Sequence, residues 1–377
     1  MIQLKSNTNP LKIAIIGSRG YPYVYSGYET LIKELSERLV GRGCEVTVYC
    51  HRNLFKEKPA LINGIKLVYV PTIETKSLSQ LIHSFLSMSH AVVSDVDVIF
   101  AVNAANGPFG LISKIFRKPT AINVDGLEWL RPKWKGLGAI YFKTAARLST
   151  ILYDQIINDS EEMRKVYLNI FKKESVVIAY GAEVKKSEDP SLIQQWPITS
   201  KEYYLVVGRM IPDNNADIIV KGFLASNSTK KMVVVGDVFY KDAYADALKA
   251  LKDDRLIFTG YVYDPEVLAA LYHHCYVYVH GHEFGGTNPT MIKAMAYGCA
   301  ILALNTVFNK EMLNNDLYGI YFEKNQEAVR QQINYADQYP KKIKKLRQNS
   351  YQGITDKYNW DCITDKYLEI FRLLAEK

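Results

Sequence analysis

Short apolar runs recur along this chain, and stretches with helical spacing lie between them. The runs at 12–16, 45–50, 65–70, 96–102, 120–124, 155–158 and 176–179 read as strands buried on both faces. Leu31, Ile32, Leu35 and Leu39 predict a helix over 28–40, and Leu78, Leu81, Ile82, Phe85 and Leu86 predict another. Further helices are expected from Asn103 onward and over 136–150. A second series follows, with strands at 203–207, 232–235, 256–259, 276–279 and 300–304 and helices over 217–225 and 266–274. Strand and helix in alternation build parallel sheets, so the fold class is α/β, with two such series in tandem.

Residues 183–200 carry two prolines, several charges and no periodicity, which reads as a linker. The expected organisation is a first domain over 1–183, a linker over 184–200, a second domain over 201–356 and a terminal segment over 357–377. In that segment Ile363, Tyr367, Ile370, Phe371 and Leu374 form the stripe of an amphipathic helix that must be buried somewhere.

Hydrophobic residues at 48% and charged residues at 23% are ordinary globular values. No apolar run reaches transmembrane length, and no signal-peptide pattern opens the chain. Five cysteines without close spacing fit a reduced, cytoplasmic protein. The formal net charge of +8 suits phosphate-bearing ligands or peripheral contact with an anionic membrane surface, and nothing reads as a nucleic-acid module.

The densest chemistry lies at 280–298, HGHEFGGTNPTMIKAMAYG. Asn288 suits an N-cap, Pro289 the first helical position and Gly298 the helix end. Gly285, Gly286 and Thr287 then stand at a helix N-terminus, where free N–H groups and the helix dipole attract an anion. The bland reading is a well-capped strand-to-helix turn. Arg209 ends the first strand of the second series, and its planar fork suits a diphosphate; otherwise it is a surface arginine. Ser26 and Gly27 offer a second helix N-terminus, and two such termini on one diphosphate would stabilise its departure without a metal. Asp125 and Glu128 follow a strand and either orient and deprotonate an acceptor hydroxyl or cap the next helix. Trp129, Arg131, Lys133, Trp134 and Lys135 form a basic–aromatic cluster suited to sugar faces or a lipid surface, or else a partly buried loop. His280, His282 and Glu283 are expected to hydrogen-bond and not to hold a metal. A dinucleotide site at the first strand is excluded: the spacing is not GxGxxG, and the second strand ends in Cys50-His51 without an acid for a ribose.

Four segments carry a resemblance over about residues 12–375: GSRGYPYVYSGYET (17–30), NVDGLEW (123–129), VGRMIPDNN (207–215) and GHEFGGTNP (281–289). With them the chain resembles GT-B glycosyltransferases of the retaining family-4 type, and within these a bacterial rhamnosyltransferase-like subgroup. The resemblance implies two Rossmann-like α/β/α domains facing across a cleft, with the last helix crossing back to the N-terminal one. It implies a nucleotide-diphosphate-sugar donor on the C-terminal domain, acceptor binding on the first, and no cofactor or metal. It assigns Gly27 and Arg209 to the donor phosphates and Gly285, Gly286 and Thr287 to the donor sugar and phosphate loop. The base falls to the segment containing Tyr261 and Val262.

The chain also departs from the pattern. Asn214 stands where a lysine is usual, although the double Asn resembles the rhamnosyl subgroup. The usual paired glutamates are absent, with Gly285 near the first position and Lys293 at the second. The second glutamate normally binds ribose hydroxyls, so a deoxyribose donor would lose less; alternatively Lys293 restores the charge missing at 214. The expectation is a cytoplasmic transferase moving L-rhamnose from dTDP-L-rhamnose, with retention, to a lipid-linked glycan in cell-surface polysaccharide assembly, at the inner membrane face. A GT-B-fold sugar-nucleotide epimerase and a catalytically degenerate partner of another transferase are the alternatives.

Overall fold

Residues 13–16 are fully buried, and they are flanked on both sides by parallel partners. That explains why this run is unbroken by polar residues: strands covered by helices on both faces need apolar side chains on both. The computed structural model describes residues 9–22, 27–73, 78–131, 136–238 and 241–377. The chain forms two units, the first comprising residues up to Ala179 together with Trp360–Lys377, the second Tyr180–Asn359.

The first unit holds β1 (Lys12–Ile16), β2 (Glu45–His51), β3 (Leu61–Ile62), β4 (Ile65–Val70), β5 (Val98–Val102), β6 (Thr120–Asn123), β7 (Gln155–Asn158) and β8 (Val176–Val177). Their order is β3-β4-β2-β1-β5-β6-β7-β8. All neighbours are parallel except β3, which turns back on β4. Asn63 and Gly64 make that turn with φ of 49° and 77°, the positive pair a two-residue hairpin requires. The strand order reverses between β1 and β5.

The helix Trp360–Ala375 belongs to this first unit. Its stripe of Ile363, Tyr367, Phe371 and Leu374 is buried. The rings of Tyr367 and Phe371 lie 5.3 and 5.4 Å from Phe100 on β5. Full burial of each such side chain is worth about 2 kcal/mol. Arg42 ties the helix from outside, 2.7 Å from Asp365 and 3.2 Å from Asp361.

The second unit holds β9 (Tyr203–Val207), β10 (Lys231–Val235), β11 (Leu256–Gly260), β12 (Val277–His280), β13 (Ala300–Leu304) and β14 (Gly319–Phe322). All six are parallel, in the order β11-β10-β9-β12-β13-β14. This is the Rossmann order 3-2-1-4-5-6, whose switch point lies between β9 and β12. The stretch 184–200, expected as a linker, packs with this unit. The Lys185 N–H donates to Ala296 O at 3.0 Å, Pro190–Ile193 forms a 3₁₀ turn, and Ile193 is buried. No helix of the described residues is long and apolar enough to cross a membrane.

Candidate functional site

In a doubly wound sheet the loops that leave the strands at the switch point diverge and expose a crevice beyond their C-terminal ends. Here those loops are Gly208–Asn215 after β9 and 281–288 after β12. They are tied to each other. Asn215, with φ of 50°, donates its side-chain amide to Gly281 O at 2.8 Å. Asn214 donates to Arg209 O at 2.8 Å, and its Oδ1 lies 2.9 Å from His282 Nδ1. The Glu283 N–H donates to Asp213 O at 3.1 Å. Gly281 permits the approach, since a Cβ there would stand 2.2 Å from Asn214 O.

The second loop runs into the helix Pro289–Ala296. Asn288 caps it, its side chain accepting from Thr290 N at 3.0 Å, and Pro289 occupies the first turn. Gly285 takes φ of 120°, and Gly286 and Thr287 are buried. Gly285, Gly286, Thr287 and Asn288 therefore lead into a helix N-terminus at the switch point, a geometry that favours an anion.

Two cations expected from the sequence lie on these elements. Arg209 is exposed, lies two residues beyond the C-terminal end of β9, and makes no ion pair among the described residues. Lys293 is half-buried in the capped helix, with its ammonium 6.0 Å from the centre of the Tyr272 ring. Burial, and then Lys185, lower its pKa from the ordinary value. It too has no carboxylate partner among the described residues. His280 is buried against the Tyr278 hydroxyl at 3.2 Å, and burial with the neighbouring His282 pushes its pKa down to about 3. Among the described residues no three His, Cys, Asp or Glu side chains converge as a metal-holding group.

Tyr261 and Val262 follow β11. The Tyr261 hydroxyl donates to Asp237 O at 2.7 Å, and Gly236 N–H donates to Gly260 O at 2.8 Å. The loops after β10 and β11 are thus joined at the same edge of the sheet.

In the first unit, Gly27 opens the helix Gly27–Gly41; Ser26 lies outside the described residues, as do Lys133, Trp134 and Lys135. Asp125 follows β6 and accepts a hydrogen bond from the Tyr28 hydroxyl. Glu128 pairs with Arg131 at 3.0 Å. Neither acid caps a helix: the short turn Glu128–Leu130 is preceded by Leu127 and has no side-chain cap. Trp129 is half-buried edge-on to Tyr167 and Phe171, at 6.3 and 6.1 Å, so its ring is engaged in an aromatic cluster.

Asp159, which the sequence reading did not single out, is buried just after β7. After burial, Asp125 and Asp159 are what hold the Tyr167 phenol well above its ordinary pKa. Burial, Asp125, Glu128 and Asp159 all raise that of Tyr28. Three carboxylates therefore share one end of this sheet. The available signal was positional: Asn158-Asp159-Ser160 follows a strand as Asn123-Val124-Asp125 does.

Comparison with known proteins gives these arrangements a class. Residues 188–353 match the family described as Glycosyl transferases group 1, and residues 11–183 match a domain of unknown function, DUF1972. No curated protein sequence matches the chain. Among solved structures it is similar to a sucrose-phosphate synthase from Thermosynechococcus elongatus, with TM-score 0.81 at 16% identity over 97% of this chain and 99% of that one. HepE from Anabaena, in complex with UDP and glucose, gives 0.75 at 17% identity over 96% and 99%. The catalytic domain of starch synthase IV from Arabidopsis thaliana, bound to ADP and acarbose, gives 0.74 at 11% identity over 98% and 100%. At such identities the likeness shows the fold, which is GT-B. Together with the group 1 domain it supports a glycosyltransferase.

Proposed function

We propose that the chain is a retaining, metal-independent glycosyltransferase that takes a nucleotide-diphosphate sugar on its second unit and an acceptor on its first. One observation carries the reading: at the switch point of the second sheet, Arg209, which has no ion pair among the described residues, shares the loop system of the capped helix N-terminus that follows Gly285, Gly286 and Thr287. A diphosphate fits that pairing of a guanidinium with the positive end of a helix dipole. The UDP in HepE and the ADP in starch synthase IV support the same ligand class.

The reaction follows from charge. As the glycosidic bond breaks, negative charge grows on the diphosphate, and donors already aimed at it lower the barrier. Arg209, Lys293 and the helix N-terminus supply that stabilisation without a metal. Retention then comes from attack on the face the diphosphate is leaving, with the departing oxygen drawing the acceptor proton. Asp125 and Glu128 orient the acceptor hydroxyl. Tyr261 and Val262 flank the base, and Asn214 acts as the brace of the Arg209 loop.

For the donor we favour dTDP-L-rhamnose. Lys293 replaces the acid that would hold two ribose hydroxyls, and a deoxyribose presents one fewer. The acceptor is a lipid-linked glycan in cell-surface polysaccharide assembly, which the enzyme meets at the inner face of the cytoplasmic membrane. The same replacement at Lys293 favours one second reading, a catalytically degenerate partner of an active transferase.

The test is a thermal-shift panel of dTDP-rhamnose, UDP-glucose, UDP-N-acetylglucosamine and GDP-mannose, followed by turnover of any stabilising donor, hydrolysis included. A ligand present at a hundred times its dissociation constant stabilises by about 2.7 kcal/mol. Arg209→Ala should reduce turnover about a hundredfold or more while leaving unfolding unchanged. Stabilisation without turnover would favour the degenerate partner, and near-normal rates in Arg209→Ala would remove that residue from the mechanism.

A further inference from the structure

Residues 98–153 of the first unit contain eight lysines and arginines but only two acids, Asp125 and Glu128. Both acids are half-buried and occupied, Asp125 by Tyr28 and Glu128 by Arg131. Among the described residues this stretch presents Lys114, Arg117, Lys118, Lys143 and Arg147 on its outer surface.

It is also apolar where solvent would ordinarily demand polarity. The helix Leu137–Leu152 buries Ala145, Ala146 and Ser149. Its other face presents Leu137 and Ile140, 85% and 62% exposed, then Lys143, Arg147 and Ile151. Their spacing places them on one stripe. The helix Gly110–Ile115 packs alongside, with Lys114 Nζ donating to Ile151 O at 3.1 Å. Ile115 and Phe116, 68% and 52% exposed, extend the apolar surface there. At this junction lies a cavity of about 230 Å³ whose lining includes Lys114, Arg117, Lys118, Lys377 and Asp154. That acid is already engaged by Thr120, through its N–H at 2.8 Å and its hydroxyl at 3.1 Å.

We propose that this face docks the protein on an anionic phospholipid bilayer. Exposed leucine, isoleucine and phenylalanine enter the interface, and the interleaved cations meet headgroup phosphates, one of which the cavity admits. A second copy of the chain fits poorly, because a two-fold pairing of this face sets cations against cations. The docking surface does not depend on which donor the second unit binds.

The experiment is co-sedimentation of the full chain with vesicles of phosphatidylcholine alone and of phosphatidylcholine mixed with phosphatidylglycerol. We expect binding to the anionic vesicles, little to the neutral ones, and weakening by salt. Neutralising three cations in Arg117→Ser/Lys143→Ser/Arg147→Ser should weaken binding on the order of a hundredfold. Leu137→Ser/Ile140→Ser, which removes exposed side chains only, should weaken it as well with unfolding unchanged. Inorganic phosphate at matched ionic strength should not displace the protein from the vesicles, which separates a bilayer from a free anion as the ligand. No binding to anionic vesicles, equal binding to neutral ones, displacement by phosphate, or binding that both variants leave intact would each overturn the proposal. So would self-association in solution that Leu137→Ser/Ile140→Ser abolishes.

Discussion

Asn214 and His282 meet side chain to side chain, Oδ1 to Nδ1 at 2.9 Å, across 68 residues of sequence. Because the Asn214 amide nitrogen donates to Arg209 O, its oxygen must accept, and His282 therefore carries its proton on Nδ1. The pair braces the Arg209 loop against the loop that leads to the capped helix. Asn214→Ala removes both bonds, each worth about 1 kcal/mol. The expected outcome is a donor affinity lower by about tenfold, read by titration, with the fold retained. Unchanged affinity would mean that Asn215 on Gly281 O and the Glu283 N–H on Asp213 O suffice to hold the two loops.

Lys293 gives a sharper test, because it is a half-buried cation with no carboxylate partner among the described residues and with Lys185 as a like-charged neighbour. Such a charge is costly unless an anion meets it. Lys293→Met should unfold no more readily than the parent, yet bind the donor about tenfold more weakly, and Lys293→Glu should be weaker still. Affinity should also fall as pH rises through the lysine's lowered pKa, since the cation is lost there. A rise in turnover in Lys293→Glu would show that the lysine does not compensate for the missing charge at 214.

The same reasoning applies to Tyr28, whose hydroxyl holds Asp125 from the first turn of its helix. If Asp125 orients the acceptor, Tyr28→Phe removes one of the bonds that hold its carboxylate in place. Acceptor-dependent turnover should fall about tenfold, while donor binding and donor hydrolysis stay unchanged. An equal loss in hydrolysis would assign Tyr28 to the fold and not to acceptor positioning.

Much of this was legible in the chain because it depends on local chemistry. Asn288, Pro289 and Gly298 mark both ends of their helix; the asparagine caps it, and Gly298 takes φ of 66°. The stripe of the last helix was equally plain, and four of its five marked residues are buried. The Asn63-Gly64 hairpin was also written in the sequence and passed unread. Other elements were hidden for physical reasons. The strand β14 is only four residues long, and the helix Gln326–Gln338 buries only Val329, Ile333 and Ala336, too sparse a stripe for periodicity to report. Asp159 carried only its position after a strand as a signal; the sheet order, with β6 beside β7, brings it to Asp125. The brace between Asn214 and His282 likewise exists only because β9 and β12 are neighbours.

The buried histidines make stability depend on pH in a predictable direction. Burial pushes His83 and His280 down to about 3, with His51 and His282 as the second causes. Their native forms stay neutral as pH falls below the ordinary value of 6.5, while the unfolded chain takes up protons. Stability is therefore lost on acidification between about 6.5 and about 3, at about 1.4 kcal/mol per pH unit for each histidine. His273, lowered to about 4, and His274 act in the same direction. The carboxylates held down by their ion pairs, such as Glu45 beside Lys66 and Asp95 beside Lys12, contribute only near and below their ordinary values of 4.5 and 3.8. The window from 6.5 to 4.5 thus isolates the histidines. Denaturant unfolding across that window should show a steep loss, and His83→Gln should flatten it by about 1.4 kcal/mol per pH unit. His83 stacks on His51 with ring centres 4.0 Å apart, so the variant costs some packing at every pH. A uniform offset with an unchanged slope would show that His83 takes its proton in the native state.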